Sequence, residues 1–333
     1  MVTAAAGSGQ REQAGLLHAL LLDGRGGGRA LSWPDVEQWT PEQGCLWLHL
    51  DYTDDGVASW LRGRDDVPSL VAEALLTEET RPRTTSIDDG LLVALRGVNL
   101  NPESQPEDMV SIRLWVEEHR VISTRKRRLL SVTELQEHIH NGRGPRDSAS
   151  LLVELADLLV WRMGATVESF EDTIDSLEDR VLDGSSAALR VDLARLRKQT
   201  ITLRRYLAPQ REALARLVQE KAPWMQEGSR LQLREVSDRL LRHIEDIDAV
   251  RERAAVTQEE LMSRISEQLN SRMYVLSVVA AIFLPLGFLT GLLGVNVGGI
   301  PGAENPGAFY LFSGLLVVAV IVQLVIFRWK NWL

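Results

Sequence analysis

"MYVLSVVAAIFLPLGFLTGLLGVN", residues 273 to 296, contains no charged side chain and closes on Gly-Val-Asn. At about 1.5 Å per residue, its apolar part, Met273 to Leu293, makes a helix long enough to cross a hydrocarbon core roughly 30 Å thick. A second run, "AFYLFSGLLVVAVIVQLVIF" from Ala308 to Phe327, is as long and has only Gln323 as a strongly polar interruption. A buried helical hairpin in a soluble core is the plainer alternative, but such helices usually run shorter. Two spans leave both ends of the chain on one side. Arg264 and Arg272 precede the first, Arg328 and Lys330 follow the second together with Trp329 and Trp332, and Glu304 is the only charge in the connecting loop. The excess of basic residues predicts a multi-pass protein with both termini in the cytoplasm and the loop outside.

The rest of the chain reads as soluble. Of 333 residues a quarter are charged, and the net charge of -9 argues against a general nucleic-acid binder and for surfaces that attract cations. Cys45 is the sole cysteine, which leaves no intramolecular disulfide and no CxxC zinc site. The N-terminal stretch lacks the apolar core of a secretory signal, so the bulk of the chain is expected inside the cell.

Upstream of the first span, Leu240, Ile244, Ile247, Ala254, Leu261, Ile265 and Leu269 recur at steps of three, four or seven, one apolar stripe on a long helix. A helix projecting from a bilayer needs partners, so the stripe predicts oligomerisation more than packing within one subunit. Two further helices are expected over Leu151–Leu182 and Ala187–Leu217, with "DGSS" at 183 to 186 as the turn. The first carries Glu168, Glu171, Asp172, Asp175, Glu178 and Asp179 on one face, opposite Phe170, Ile174, Leu177 and Val181. That face is either simply solvated or a cytoplasmic surface that concentrates divalent cations.

The first part alternates strand and helix signals. Runs at 16–24, 45–52, 90–100, 109–118 and 120–125 read as strands, and "TPEQ" at 40–43 has the form of a helix start, with Thr40 as cap and Pro41 at the first position. "DGRGGGR", 23 to 29, lacks the spacing of a phosphate loop and reads as a turn. No catalytic Ser/His/Asp or Cys/His set is legible, so no enzyme is expected. The fold class is α+β, divided as follows: a cytoplasmic α/β domain at 1–147, antiparallel helices at 148–228, a stalk helix at 229–272, spans at 273–293 and 308–327 around a loop at 294–307, and a basic tail at 328–333.

Within the first span, Met273, Leu276, Ala280, Leu284, Gly287, Gly291 and Gly294 share one helical face that changes from large apolar residues to glycine. Close packing of two helices would use such glycines. A ring of helices would instead make a pore, with the amide oxygens of Asn296 at its mouth facing a hydrated cation.

Residues 270 to 296, "NSRMYVLSVVAAIFLPLGFLTGLLGVN", resemble the last pore helix and signature of the CorA family of divalent-cation transporters, and the similarity of layout extends over nearly the whole chain. The signature there is usually Gly-Met-Asn; Gly294-Val295-Asn296 is similar to the zinc-transporting ZntB branch. The resemblance implies a funnel-shaped homopentamer in a bacterial inner membrane, with five copies of the first span around the pore. Asn296 would then act as the selectivity residue, Met273, Leu276 and Leu284 as apolar rings, and Gly291 as a narrow backbone-lined site. Gly287 stands where the magnesium channels often have threonine. The glutamate that commonly follows the signature is absent, and Glu304 lies a few residues later. No permanently bound cofactor is implied. The cargo would be Zn²⁺, with Mg²⁺, Co²⁺, Ni²⁺ or Cd²⁺ as further candidates, and protons as a coupling ion.

Zinc favours His and Cys ligands, and the proposed pore has neither. His138 and His140 form an H-x-H pair in the predicted cytoplasmic part, either a metal-free surface pair or a weak zinc site. Three functions stand: zinc uptake, with coupled protons as an option that neither span offers an acid or histidine to relay; a magnesium or cobalt channel gated by cytoplasmic cations; and a non-conducting membrane-anchored scaffold or sensor, for which substituting Asn296 would be silent.

Overall fold

The computed structural model describes residues 15–78, 81–184, 187–294 and 305–330. Residues up to Gln258 form one compact unit and those from Glu259 onward a second. Positions 147 and 228 both fall inside the first unit.

Among the described residues that unit has seven strands: β1 (Leu16–Leu22), β2 (Gly28–Ala30), β3 (Leu46–Asp51), β4 (Arg83–Ile87), β5 (Gly90–Gly97), β6 (Val110–Val116) and β7 (Arg120–Arg125). Their order is β2-β1-β3-β7-β6-β5-β4. All neighbours are antiparallel except β3 and β7, which pair in parallel from Leu46 opposite Arg120 to Asp51 opposite Arg125. Period-two alternation explains the two faces. Leu46, Leu48 and Leu50 point into a core completed by Ala19, Leu21, Trp115 and Ile122. Helices α1 (Trp33–Glu37), α2 (Asp55–Arg62) and α3 (Ser69–Leu76) close that core with Val36, Val57, Leu61, Val71 and Leu75.

The expected helix at Thr40 is only a single 3-10 turn, Pro41–Gln43, and Thr40 makes no side-chain cap. The chain has already spent its short helix upstream, where Asp35 accepts from the backbone and hydroxyl of Ser32 at the start of α1. "DGRGGGR" is the β1–β2 turn: Asp23 accepts from the amides of Arg25 and Gly27, and Gly24 and Gly26 take φ values of 72° and 108° that only glycine adopts freely.

The other sheet face carries α4 (Leu130–His140), α5 (Ser148–Asp183) and α6 (Ala187–Gln219). A reciprocal cap starts α5: Asp147 accepts from the Ser150 amide at 2.7 Å, and Ser150 Oγ accepts from the Asp147 amide at 3.0 Å. Phe170, Ile174, Leu177 and Val181 are buried, as their spacing predicts. Close approach is built in at Gly97, where a Cβ would lie 2.7 Å from Leu159 and 2.9 Å from Leu129. Where β4 ends, α6 takes over as the partner of β5: the Gln210 amide accepts from the Arg96 N–H at 2.7 Å and donates to the Arg96 carbonyl at 3.0 Å. Fully buried, Gln210 thereby closes a strand edge that would otherwise lack partners.

A single helix, α7 (Glu227–Leu293), follows, and α8 (Ala308–Trp329) completes the chain. From Leu233 through Leu240, Ile247 and Ala254 the apolar stripe of α7 is buried within this one chain. Polar contacts brace the same stretch: Arg239 with Asp157 at 2.8 Å, Arg204 with Asp248 at 2.6 Å, and Arg197 with Gln258 at 2.7 Å. The stripe was expected chiefly to meet other copies, and over this stretch it does not. Only Ile265, half-buried, and Leu269, exposed, remain for that role.

Candidate functional site

In the second unit, α7 and α8 are both long and apolar enough to cross a membrane, and their apolar windows are not buried. Exposed Phe283, Phe288, Phe309, Leu311 and Val325 make a surface that water does not suit. Backbone polarity is met inside each helix, and the hydroxyls follow suit. Ser277 donates to the Met273 carbonyl at 2.8 Å, and Thr290 donates to the Leu286 carbonyl at 3.0 Å. The helix runs through Pro285, which has no N–H to offer Ala281.

The face expected to line a pore is unpartnered among the described residues. Met273, Leu276 and Leu284 are exposed, at 66%, 69% and 71%, and Ala280 is half-buried. A Cβ built on Gly287 or Gly291 meets nothing within 4 Å, so packing among the described residues does not demand glycine at either position. Gly294 differs: its amide donates to the Thr290 carbonyl at 2.9 Å, and a Cβ would sit 2.8 Å from that oxygen. The opposite stripe, Val278, Ile282, Leu286 and Leu289, is half-buried, as is the stripe Phe312, Leu316, Ala319 and Gln323 on α8. The covered and bare faces of α7 are therefore distinct. Val295, Asn296 and Glu304 lie outside the described residues.

The six carboxylates of α5 do not act as one face. Glu168, Asp172, Asp175 and Asp179 are exposed, whereas Glu171 and Glu178 are half-buried on its flank. Arg253 of α7 reaches that flank, with Nη2 2.5 Å from both Asp175 and Glu178 and Nε 3.0 Å from Glu178. Burial, and then the charges of Asp246, Asp175 and Glu168, push the Glu171 carboxyl above its ordinary range. Arg253 was not among the residues singled out, and with 75 and 78 positions between it and its partners no local pattern reveals it.

Nor are the paired histidines brought together. Residues two apart on a helix point to different sides: half-buried His138 meets Glu154 at 2.6 Å, while His140 is exposed. Burial pushes the Glu154 carboxyl upward against the opposing effect of His138. Among the described residues no three His, Cys, Asp or Glu side chains converge in a way that could hold a metal ion.

The profile of the family described as CorA-like Mg²⁺ transporter protein matches residues 42–329. The zinc transport protein ZntB of Pectobacterium carotovorum is 41% identical over 309 residues, 93% of each chain. The divalent cation transporter CmaX of Pseudomonas aeruginosa is 39% identical over 326 residues, 97% of this chain and 98% of that one. Among solved structures, full-length CmaX superposes with a TM-score of 0.85 at 38% identity, covering 96% of this chain and 98% of its own. The CorA magnesium transporter of Methanocaldococcus jannaschii shares the fold at 19% identity, with a TM-score of 0.78 and full coverage of both chains. With the α/β unit, the long helix and the two apolar helices all matched, the chain belongs to the CorA-like family of metal ion transporters.

Proposed function

We propose that this chain carries divalent metal cations across a bacterial inner membrane, with Zn²⁺ as the main cargo, through a pore formed by the first span of several copies. The observation that carries the reading is the bare face of α7, where apolar side chains give way to Gly287 and Gly291, positions at which no contact among the described residues requires glycine. Copies of the same face around a common axis would supply the partners it lacks. A homopentamer of funnel form, with both termini cytoplasmic, is the assembly that the family resemblance favours. Zinc is favoured by the ZntB relatives. The face itself offers no His or Cys, which suits a cation that keeps part of its water shell and meets backbone and amide oxygens. Proton coupling would have to draw its relay from outside the spans, since neither contains an acid or a histidine. Gating by divalent ions would use the exposed carboxylates Glu168, Asp172 and Asp179, which Arg253 leaves free.

Flux of Zn²⁺ and of Mg²⁺ into proteoliposomes, with and without an inward proton gradient, tests the reading in wild type and Asn296→Ala. Zn²⁺ uptake that Asn296→Ala lowers at least tenfold is the expected result. Mg²⁺ flux indifferent to the gradient would transfer the chain to the magnesium channel reading, which the family's description favours. No flux of either ion would leave a scaffold.

A further inference from the structure

In the α/β unit a cleft of about 740 Å³ opens where the α2–α3 loop, the β4–β5 turn and the β6–β7 turn meet the segment that precedes α7. That volume is ordinary for a small-molecule site. Two half-buried indoles stand in its walls, both tethered by their N–H groups: Trp39 donates to the Gly44 carbonyl at 3.2 Å, and Trp224 donates to the Asp89 carbonyl at 3.0 Å. Their rings are thus held in place before any ligand arrives, which lowers the entropic cost of binding. Trp115, only 2% exposed, lines the same cleft against Gly90.

The charge is one-sided. Asp65, Asp66, Asp88, Asp89, Glu117 and Glu118 face two guanidinium groups, Arg64 and Arg120, an excess of four carboxylates over guanidiniums. The arginines are already engaged. Arg120 holds Asp66 at 2.5 Å and Glu117 at 2.7 Å, and Arg64 holds Asp66 at 2.6 Å. Asp65, Asp88 and Asp89 form no ion pair with any described residue. A bare metal ion does not fit, because no three of these carboxylates converge. An alkylammonium does: indole faces attract a cation and cover its methylenes, and carboxylates contributed by three separate loops match charges spread along a chain.

We propose that this cleft binds an organic ammonium cation of the linear di- or polyamine class. The site is separate from the bare face of α7 and stands whatever the cargo. The test uses the full chain in detergent micelles, titrated with putrescine and with spermidine while tryptophan fluorescence and binding heat are followed. Saturable binding of one spermidine per chain, tighter than putrescine, is expected at physiological salt. Asp88→Asn with Asp89→Asn should weaken it at least tenfold without moving the unfolding midpoint, because both side chains are exposed and asparagine tolerates the φ of 50° at residue 88. Trp224→Leu should weaken it independently. Binding that ignores all three substitutions, or that Mg²⁺ reproduces and abolishes at matched ionic strength, would overturn the proposal.

Discussion

Replacing Gly287 and Gly291 separates folding from transport, because the two should respond with opposite signs. Each glycine lies inside a helix and has open space where a Cβ would go. Alanine there costs no clash and lowers the entropy lost on forming the helix, so each substitution should stabilise the chain by roughly 0.5–1 kcal/mol. If the face lines a shared pore, however, the added methyl groups of every copy crowd one axis, and Gly291→Leu crowds it more. A barrier raised by about 1.4 kcal/mol slows passage tenfold, and a ring of leucines where backbone stood should exceed that. The expected pattern is an unfolding midpoint equal to or above wild type for Gly287→Ala and Gly291→Ala, with Zn²⁺ flux down several-fold, and by tenfold or more for Gly291→Leu. Thermal unfolding in detergent, light scattering for the oligomer and flux in proteoliposomes measure the three quantities. Gly291→Leu that assembles normally and conducts at the wild-type rate would refute the reasoning. A variant that falls apart would point to glycine as a close-packing device instead.

Four further outcomes can be checked. His18 stacks on His49 with ring centroids 4.8 Å apart, and burial pushes its imidazole down to about 3. A depressed folded value means that stability is complete above the unfolded value near 6.5 and is lost as pH falls. From His18 alone the loss should reach about 2 kcal/mol by pH 5 and about 4 kcal/mol by pH 3, and His18→Phe should flatten the fall of the unfolding midpoint. Gly97→Ala should destabilise the α/β unit by about 1–3 kcal/mol, because Leu129 and Leu159 are both buried and Leu159 has no exposed surface into which to retreat. Arg253→Ala should cost only about 1 kcal/mol, since its partners are partly solvated. Millimolar Mg²⁺ should restore the midpoint of Arg253→Ala if the carboxylates of α5 hold cations, and no recovery would remove that role.

What could be read from the residues differs by element. The spans and the central strands were legible because each buries or exposes long apolar runs: "LWLHLD" of β3 and "VSIRLWV" of β6 look like strands on sight. β2 and β4 were not. Both lie at sheet edges, and "GRA" and "RTTSI" keep most side chains in water, so no alternation marks them. The signal at "TPEQ" was sound capping chemistry without an apolar helix behind it. In α7 the stripe was visible but its cover was not, since periodicity shows that a face is buried and never by what. The glycine-graded face was legible in full, whereas the splitting of the acidic residues by Arg253 and the three-tryptophan cleft depend on contacts far apart in the chain.

The reach of Gln210 sets a timetable. Its backbone partner, Arg96, leaves the ribosome 114 residues earlier. At about 5–20 residues per second, the β5 edge must wait roughly 6–23 s for the amide that closes it. During synthesis the sheet is therefore an unfinished template with an open side, vulnerable to pairing with a stranger. Finishing it falls to α6, so the strands cannot mature as an independent piece: a fragment ending before residue 210 would carry the whole sheet and still lack its last hydrogen bonds.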